Sequence, residues 1–352
     1  MENIKKLLKT DKTGLVSGFC SIPWTNITVT DSGLIYACQC NGYVKKPICN
    51  ILDVNSKEEF ISILNDNIIK RSILDKSYRL CNSIVCHELQ DNILFNKKTS
   101  QFKENKEKLE KLKLKEILMQ VDESCNLQCP TCRNDIIIHK NNQKTKKLEI
   151  ILDRLQKYIF EEANDLIYLR IVGNGELFAS HTMLPWFLKF DFKKYPNIRF
   201  DLHTNATLLS RHENYLLSIA DKIRRIEVST DAGTKETYSI VRKNGDWNDL
   251  LKGYSTIQKL RNVNNNISLS SSFVVSSLNY NDIEEFIKFA DSQNAKIIFY
   301  KVVRWNMDDE KFKKLNIFSS QHDEYNAFQK LIHNINFRND KHITNIFNIK
   351  LN

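Results

Sequence analysis

The sequence predicts an α/β protein: a parallel sheet built from six strand–helix units, open or curled into a partial barrel, behind a small α+β unit rich in cysteine. Three observations point there. Apolar strands recur between residues 117 and 303, each ending in a polar or glycine-bearing turn, and apolar residues at helical spacing separate them. Sequential βα units of this kind pair in parallel and bind ligands at the carboxyl ends of their strands. All nine cysteines lie in the first 132 residues, six of them before residue 90.

The chain of 352 residues has room for one large domain or two ordinary ones. With 41% hydrophobic and 10% aromatic residues it can bury a substantial core and is not disordered by composition. The net charge of +10 could attract nucleic acid, anionic membrane or an acidic substrate. The lysines, however, rarely form a basic run with interleaved aromatics, so the charge reads as solvated surface and nucleic-acid binding is not predicted. Met1 to Lys12 is amphipathic and Lys-rich without an apolar secretory core, and no segment approaches the roughly 18 apolar residues of a membrane span. A cytoplasmic location is expected. There thiols stay reduced, so nine cysteines suggest metal or redox chemistry rather than disulfides.

Taken in order, residues 1–95 form the cysteine-bearing unit. Within it, Trp24 to Thr30 alternates apolar and polar residues, meets Asp31-Ser32-Gly33 and resumes at Leu34 to Ala37, a β-hairpin pattern. Residues 96–114 are a charged linker or solvated helix. Strands follow at Ile117–Val121, Ile167–Val172, Ile198–Leu202, Ile226–Val228, Ile267–Val275 and Lys296–Val303. Leu148, Ile151, Leu152, Leu155 and Ile159 mark a helix, and Asn281-Asp282 should cap another carrying Ile283, Phe286, Ile287 and Ala290. The six units fill residues 115–310. Residues 311–352 read as a helical extension, with a helix over Gln321 to Ile335.

Cys125, Cys129 and Cys132 are spaced by three and then two residues, so a compact loop can point three thiolates at one centre. Structural zinc wants four ligands, and His139 is the only local candidate for a fourth. A cubane iron–sulfur cluster normally takes four cysteines, so three leave one iron free for a small-molecule ligand.

The triplet resembles the cluster-binding loop of the radical S-adenosylmethionine superfamily, which lies after the first barrel strand. The resemblance extends over roughly residues 115 to 305. Gly173, Asn174, Gly175 and Glu176 close the second strand where the family carries a Gly-Gly-Glu-like turn against the amino group of the cofactor's methionine moiety. Asn205, behind Thr204, ends the third strand. Ser229 and Asp231 end the fourth, where members place polar groups on the cofactor's ribose or carboxylate. Thr131 departs from the aromatic residue that many members carry before the third cysteine. Read alone, each of these stations could be an ordinary turn or helix cap.

The fold so implied is a partial (β/α)6 TIM-like barrel. The implied activity is reductive cleavage of S-adenosylmethionine to a 5′-deoxyadenosyl radical, which abstracts hydrogen from a peptide or carbohydrate-type substrate. Flavodoxin or ferredoxin would supply electrons. No side chain is singled out as the catalytic one.

Cys20, Gly33 and Cys38 resemble the opening of the auxiliary-cluster domains called SPASM or twitch. That resemblance implies a second iron–sulfur cluster on Cys20, Cys38, Cys81 and Cys86, although such domains usually follow the barrel. Zinc is the competing occupant, Cys40 could replace Cys38, and Cys49 has no evident partner. Trp305, His203 and Arg242 could face the pocket or serve packing and solvation. Two other readings of the whole chain are a zinc-stabilised protein that binds nucleic acid or a protein partner through its basic surface, and a catalytically dead barrel serving as a scaffold.

Overall fold

A computed structural model describes residues 20–39, 41–75, 77–83, 86, 89, 112–171, 174–304, 306–335 and 343–346. Met1 to Lys12, most of the charged linker, Cys40, Gly173 and Trp305 lie outside these residues. The chain forms two compact units. One comprises Met1–Asp122, Lys140–Gly173 and Lys189–Arg199; the other comprises Glu123–His139, Asn174–Leu188 and Phe200–Asn352.

The first unit holds strands β1 (Asn26–Thr30), β2 (Leu34–Tyr36), β3 (Cys49–Asn50), β4 (Glu116–Gln120) and β5 (Ile167–Ile171). β1 and β2 form the expected hairpin, and β3 adds an antiparallel edge. Gly33 sits in the turn at φ 84°, and a Cβ there would lie 2.5 Å from Asn50 Oδ1. The sequence pattern did not foretell that β1 runs parallel beside β4, from Asn26 opposite Glu116 to Thr30 opposite Gln120. β4 in turn pairs in parallel with β5. β1 looked half-polar because Thr28 and Thr30 alternate with Ile27 and Val29, yet all four are buried. Thr28 meets the cost of burial by donating its hydroxyl to the Cys38 carbonyl at 2.9 Å.

The predicted helix runs over Gln143–Tyr158 and buries Leu148, Ile151, Leu152 and Leu155. A reciprocal box starts it: the Asn142 side chain accepts from the Thr145 amide, and Thr145 accepts from the Asn142 amide. Tyr158 packs on Phe60 of the helix Lys57–Asn65, with ring centroids 5.7 Å apart.

The second unit carries β6 (Ile198–Thr204), whose first two residues belong to the first unit's last segment, then β7 (Ile223–Ser229), β8 (Ser268–Val275), β9 (Lys296–Lys301) and β10 (Ile343–Ile346). These pair in parallel in chain order. The pattern of alternating strands and helices is thus the predicted one, with β10 added in a stretch that had read as helical. Helices Lys235–Val241, Trp247–Val263 and Ile283–Ser292 connect the strands. Phe273, Phe286, Phe299 and Phe328 form an aromatic core on one side of the sheet. The other side is polar: the register aligns His203 with Glu227, Glu227 with Ser270, and Ser229 with Ser272. Among the described residues no helix is long and apolar enough to cross a membrane.

Asp282 differs from its expected role. It precedes the helix Ile283–Ser292 but makes no cap bond to it. Its carboxylate instead accepts from the amides of Gly233 and Thr234, at 2.6 and 3.2 Å, and from the Thr234 hydroxyl at 3.1 Å. This fixes the loop after β7 against the helix so closely that a Cβ on Gly233 would lie 2.1 Å from the Glu285 carbonyl carbon. Gly233→Ala is therefore expected to cost about 3 kcal/mol, seen as a lowered urea midpoint, because backbone must move to admit one methyl group. Ser239→Ala, at an exposed position of the helix Lys235–Val241, should change stability by less than about 0.5 kcal/mol.

Candidate functional site

The described residues of the cysteine-triplet site lie in the second unit. The loop is braced by its own backbone. The Cys125 amide donates to the Ile137 carbonyl at 2.7 Å, while the amides of Cys132 and Arg133 both donate to the Cys129 carbonyl. Cys125, Cys129 and Cys132 pack with Leu127 in one cluster, the first two buried. Burial pushes the Cys125 thiol up to about 11 and raises that of Cys129 as well.

Two guanidinium groups touch these sulfurs. Arg133 donates to Cys132 Sγ at 3.6 Å through Nη2, to the Glu123 carbonyl at 2.6 Å through Nη1, and to the Asn174 carbonyl. Arg242 donates to Cys129 Sγ at 3.5 Å through Nη1 and pairs through Nη2 with Asp231 at 2.9 Å. The sequence left Arg242 between a pocket and a surface role; its side chain is 11% exposed. Arg133 went unremarked, since nothing in a single sequence distinguishes an arginine that turns back onto its own loop. His139, the local candidate for a fourth ligand, pairs through Nε2 with Glu123 Oε1 at 2.8 Å.

Glu176 ties the neighbouring loops together. Its amide donates to the Ser124 carbonyl at 2.7 Å, immediately before the first cysteine. Its buried carboxylate accepts from the Thr204 hydroxyl at 2.9 and 3.0 Å, from the Asn205 amide at 2.6 Å and from the Phe178 amide at 3.2 Å. Burial raises the Glu176 pKa against the opposing pull of these donors. An ionised carboxylate has about four acceptor positions, so the protein itself uses most of this one's capacity. Asn205 continues the chain of contacts: its Nδ2 donates to Asn126 Oδ1 at 3.0 Å and lies 3.9 Å from Cys125 Sγ, while its Oδ1 accepts from Thr207. The structure thus brings Cys125, Asn174, Glu176 and Asn205 into one connected set.

Ser229 ends β7 with its hydroxyl 2.7 Å from His203 Nε2, and that ring nitrogen lies 3.9 Å from Glu227 Oε1. Tyr300 donates to the same Glu227 oxygen at 3.1 Å. Asp231 stands beyond the strand at φ 58°, with its carboxylate turned to Arg242 and to the Val274 amide, which donates at 2.7 Å. Neither Ser229 nor Asp231 caps the following helix; Thr234 does, accepting from the Thr237 amide.

In the first unit, Cys20, Cys38, Cys81 and Cys86 pack into one cluster around Ile69, Ile73 and Tyr78. Cys20 donates its amide to the Tyr78 hydroxyl at 3.1 Å, and Cys81 bridges to Val44. Burial pushes the Cys81 thiol up to about 12 and also raises that of Cys20, with the other cysteines of the group adding to both shifts. Cys49, on β3, is outside this cluster and is pushed up to about 12 by burial and then by Glu59 and Asp53.

Among the described residues no three His, Cys, Asp or Glu side chains already stand in a metal-binding arrangement. The donor chemistry nevertheless suits iron and sulfide. The triplet offers soft thiol ligands in one packed cluster, and two fixed cations could offset the charge of thiolates.

Comparison with known proteins agrees with this donor set. The model of the Radical SAM superfamily matches residues 119–290. No curated protein matches the chain. Among solved structures, one titled "Native anSMEcpe with bound AdoMet" is 18% identical with a TM-score of 0.40, covering 57% of this chain and 57% of that one. A second, "Native anSMEcpe with bound AdoMet and Kp18Cys peptide", has the same identity and TM-score and covers 56% and 57%. The chain thus spans little more than half the length of these structures. The superfamily implies a [4Fe–4S] cluster, S-adenosylmethionine, a reductant and a substrate. The matched segment, just under half of the chain, holds the cysteine triplet and every later station of the site and is similar to the radical SAM superfamily, whose members are enzymes.

Proposed function

We propose that this protein reductively cleaves S-adenosylmethionine at a [4Fe–4S] cluster held by Cys125, Cys129 and Cys132, and abstracts hydrogen from a peptide or carbohydrate-type substrate. The observation that carries this reading is the packing of these three thiols in one cluster, with a guanidinium on two of the sulfurs. When bound, the cluster would supply the electron that breaks a carbon–sulfur bond of the sulfonium, giving methionine and the 5′-deoxyadenosyl radical.

The chain's own residues bind and orient. The backbone of the Asn174–Glu176 turn is the better partner for the methionine ammonium, because Thr204, Asn205 and Phe178 already use most of the Glu176 carboxylate's capacity. Gly173, preceding that turn, belongs to the same proposal. The Ser229 hydroxyl, oriented by His203, suits a ribose. Asp231 acts on the cofactor side through Arg242, and Asn205 through the Asn126 contact beside Cys125. The carboxyl ends of the parallel strands would form the mouth of a partial barrel. A flavodoxin or ferredoxin is the proposed reductant.

Cys20, Cys38, Cys81 and Cys86 are proposed to hold a second, auxiliary iron–sulfur cluster in a SPASM/twitch-like domain. Their association around one hydrophobic cluster supports this, and a four-thiol set would also accept zinc.

The test is anaerobic reconstitution followed by dithionite and S-adenosylmethionine. 5′-Deoxyadenosine should accumulate; an intact cluster that yields none contradicts the reading. Cys129→Ala should abolish both that product and the visible charge-transfer absorbance of the triplet cluster. Cys81→Ala should lower bound iron and labile sulfide by about one cluster's worth while the triplet's absorbance persists. Loss of zinc instead would reassign the auxiliary site.

A further inference from the structure

Arg242 is buried and its position is set from several sides. It follows the helix Lys235–Val241, with its amide donating to the Tyr238 carbonyl at 2.8 Å and its own carbonyl accepting from the Gly245 amide at 2.7 Å. Among the described residues its Nε has no hydrogen-bond partner, so the guanidinium is oriented by its two terminal nitrogens. One meets Asp231 and the other meets Cys129 Sγ. Burial works against the charge, but the Asp231 carboxylate together with Cys129 and Tyr238 outweighs it, and the pKa of Arg242 is raised.

Asp231 is itself tightly held. A non-glycine residue at positive φ is strained and persists only where its surroundings impose it. Here Asp231 Oδ1 accepts from the Val274 amide at 2.7 Å, and the Asp231 carbonyl accepts from Asn279 Nδ2 at 2.9 Å. Asn279 is further fixed by Ser276, whose amide and hydroxyl both donate to its Oδ1. An aspartate pinned at a strained position, aimed at a buried arginine that reaches a ligand sulfur, is more than a surface ion pair.

We propose that Arg242, pinned by Asp231, is a positioning residue that donates to the Cys129 sulfur and raises the reduction potential of the cluster bound there. This rests on the cluster assignment above. Reduction adds one electron, hence one unit of negative charge, to the cluster. A fixed cation hydrogen-bonded to one of its sulfur ligands favours the reduced form over the oxidised one, and burial strengthens the effect. The arginine fork can serve the carboxylate and the sulfur at once, which a lysine ammonium at the end of a single stem does poorly.

The experiment is a redox titration of the reconstituted full chain, followed by electron paramagnetic resonance and read on the signal that changes when S-adenosylmethionine is added. In Arg242→Gln the ratio of reduced to oxidised cluster at a fixed potential should fall about tenfold, equivalent to about 59 mV for a one-electron couple. Arg242→Lys keeps a cation for Asp231 but vacates the sulfur, and should shift the same way by less; it carries the test if Arg242→Gln fails to fold. Unchanged potentials in the variants, with the cluster assembled, overturn the proposal and leave the cluster assignment standing. A wild-type chain without a cluster on the triplet overturns both.

Discussion

The site depends on keeping one carboxylate satisfied where water cannot reach it. Glu176 is 3% exposed, and a buried carboxylate without donors would destabilise the fold by several kcal/mol. The donors come from separate segments: the Phe178 amide just ahead, and Thr204 with Asn205 at the end of β6. Because the Glu176 amide also holds the carbonyl of Ser124, the same residue reaches the start of the cysteine loop. Asn205 extends the set to Asn126, and Thr207 closes it by bonding both asparagines. Hydrogen bonds to a charged group contribute roughly 1.5–3 kcal/mol each, so this connected set is stiff compared with an exposed loop. Stiffness is what a three-thiol centre requires, since its ligands sit within eight residues of a loop rather than on a strand or helix.

A second constraint is charge. Buried thiols remain protonated unless something positive compensates the thiolate, as the raised values of Cys125 and Cys129 illustrate. Arg133 and Arg242 place cationic donors on the Cys132 and Cys129 sulfurs. They arrive by different routes, one from the cysteine loop itself and one from the end of a helix, and each is anchored elsewhere by backbone or carboxylate. In the first unit, apolar side chains and Tyr78 pack around the four sulfurs, and Lys45 acts electrostatically on the Cys81 thiol.

Much of this was legible in the sequence, for reasons of range. The strands and the helix Gln143–Tyr158 follow from local periodicity. The cysteine triplet follows from spacing, and the turn at Glu176 from its place after a strand. What escaped were features decided by partners distant in sequence. β1 read as half of a hairpin, which it is, but it is also a buried strand parallel to β4, whose buried Thr28 meets its hydrogen bond internally. Asp282 read as a helix cap, but its carboxylate serves Gly233 and Thr234, some fifty residues earlier. Glu176 read as an acceptor for a ligand, and Thr204 and Asn205 take up most of that capacity. Arg133 gave no distinguishing signal and Arg242 only its place after the Ser229/Asp231 station, since only the fold reveals which arginines turn inward.

The central claim is that the triplet leaves one iron open to the methionine moiety of S-adenosylmethionine. The most direct measurement is electron–nuclear double resonance on the reduced, reconstituted protein with S-adenosylmethionine labelled with nitrogen-15 at the amine and carbon-13 at the carboxylate. Hyperfine coupling from both labels to the cluster is expected, and its loss in Cys129→Ala. A reduced cluster that shows neither coupling with the cofactor present would contradict it.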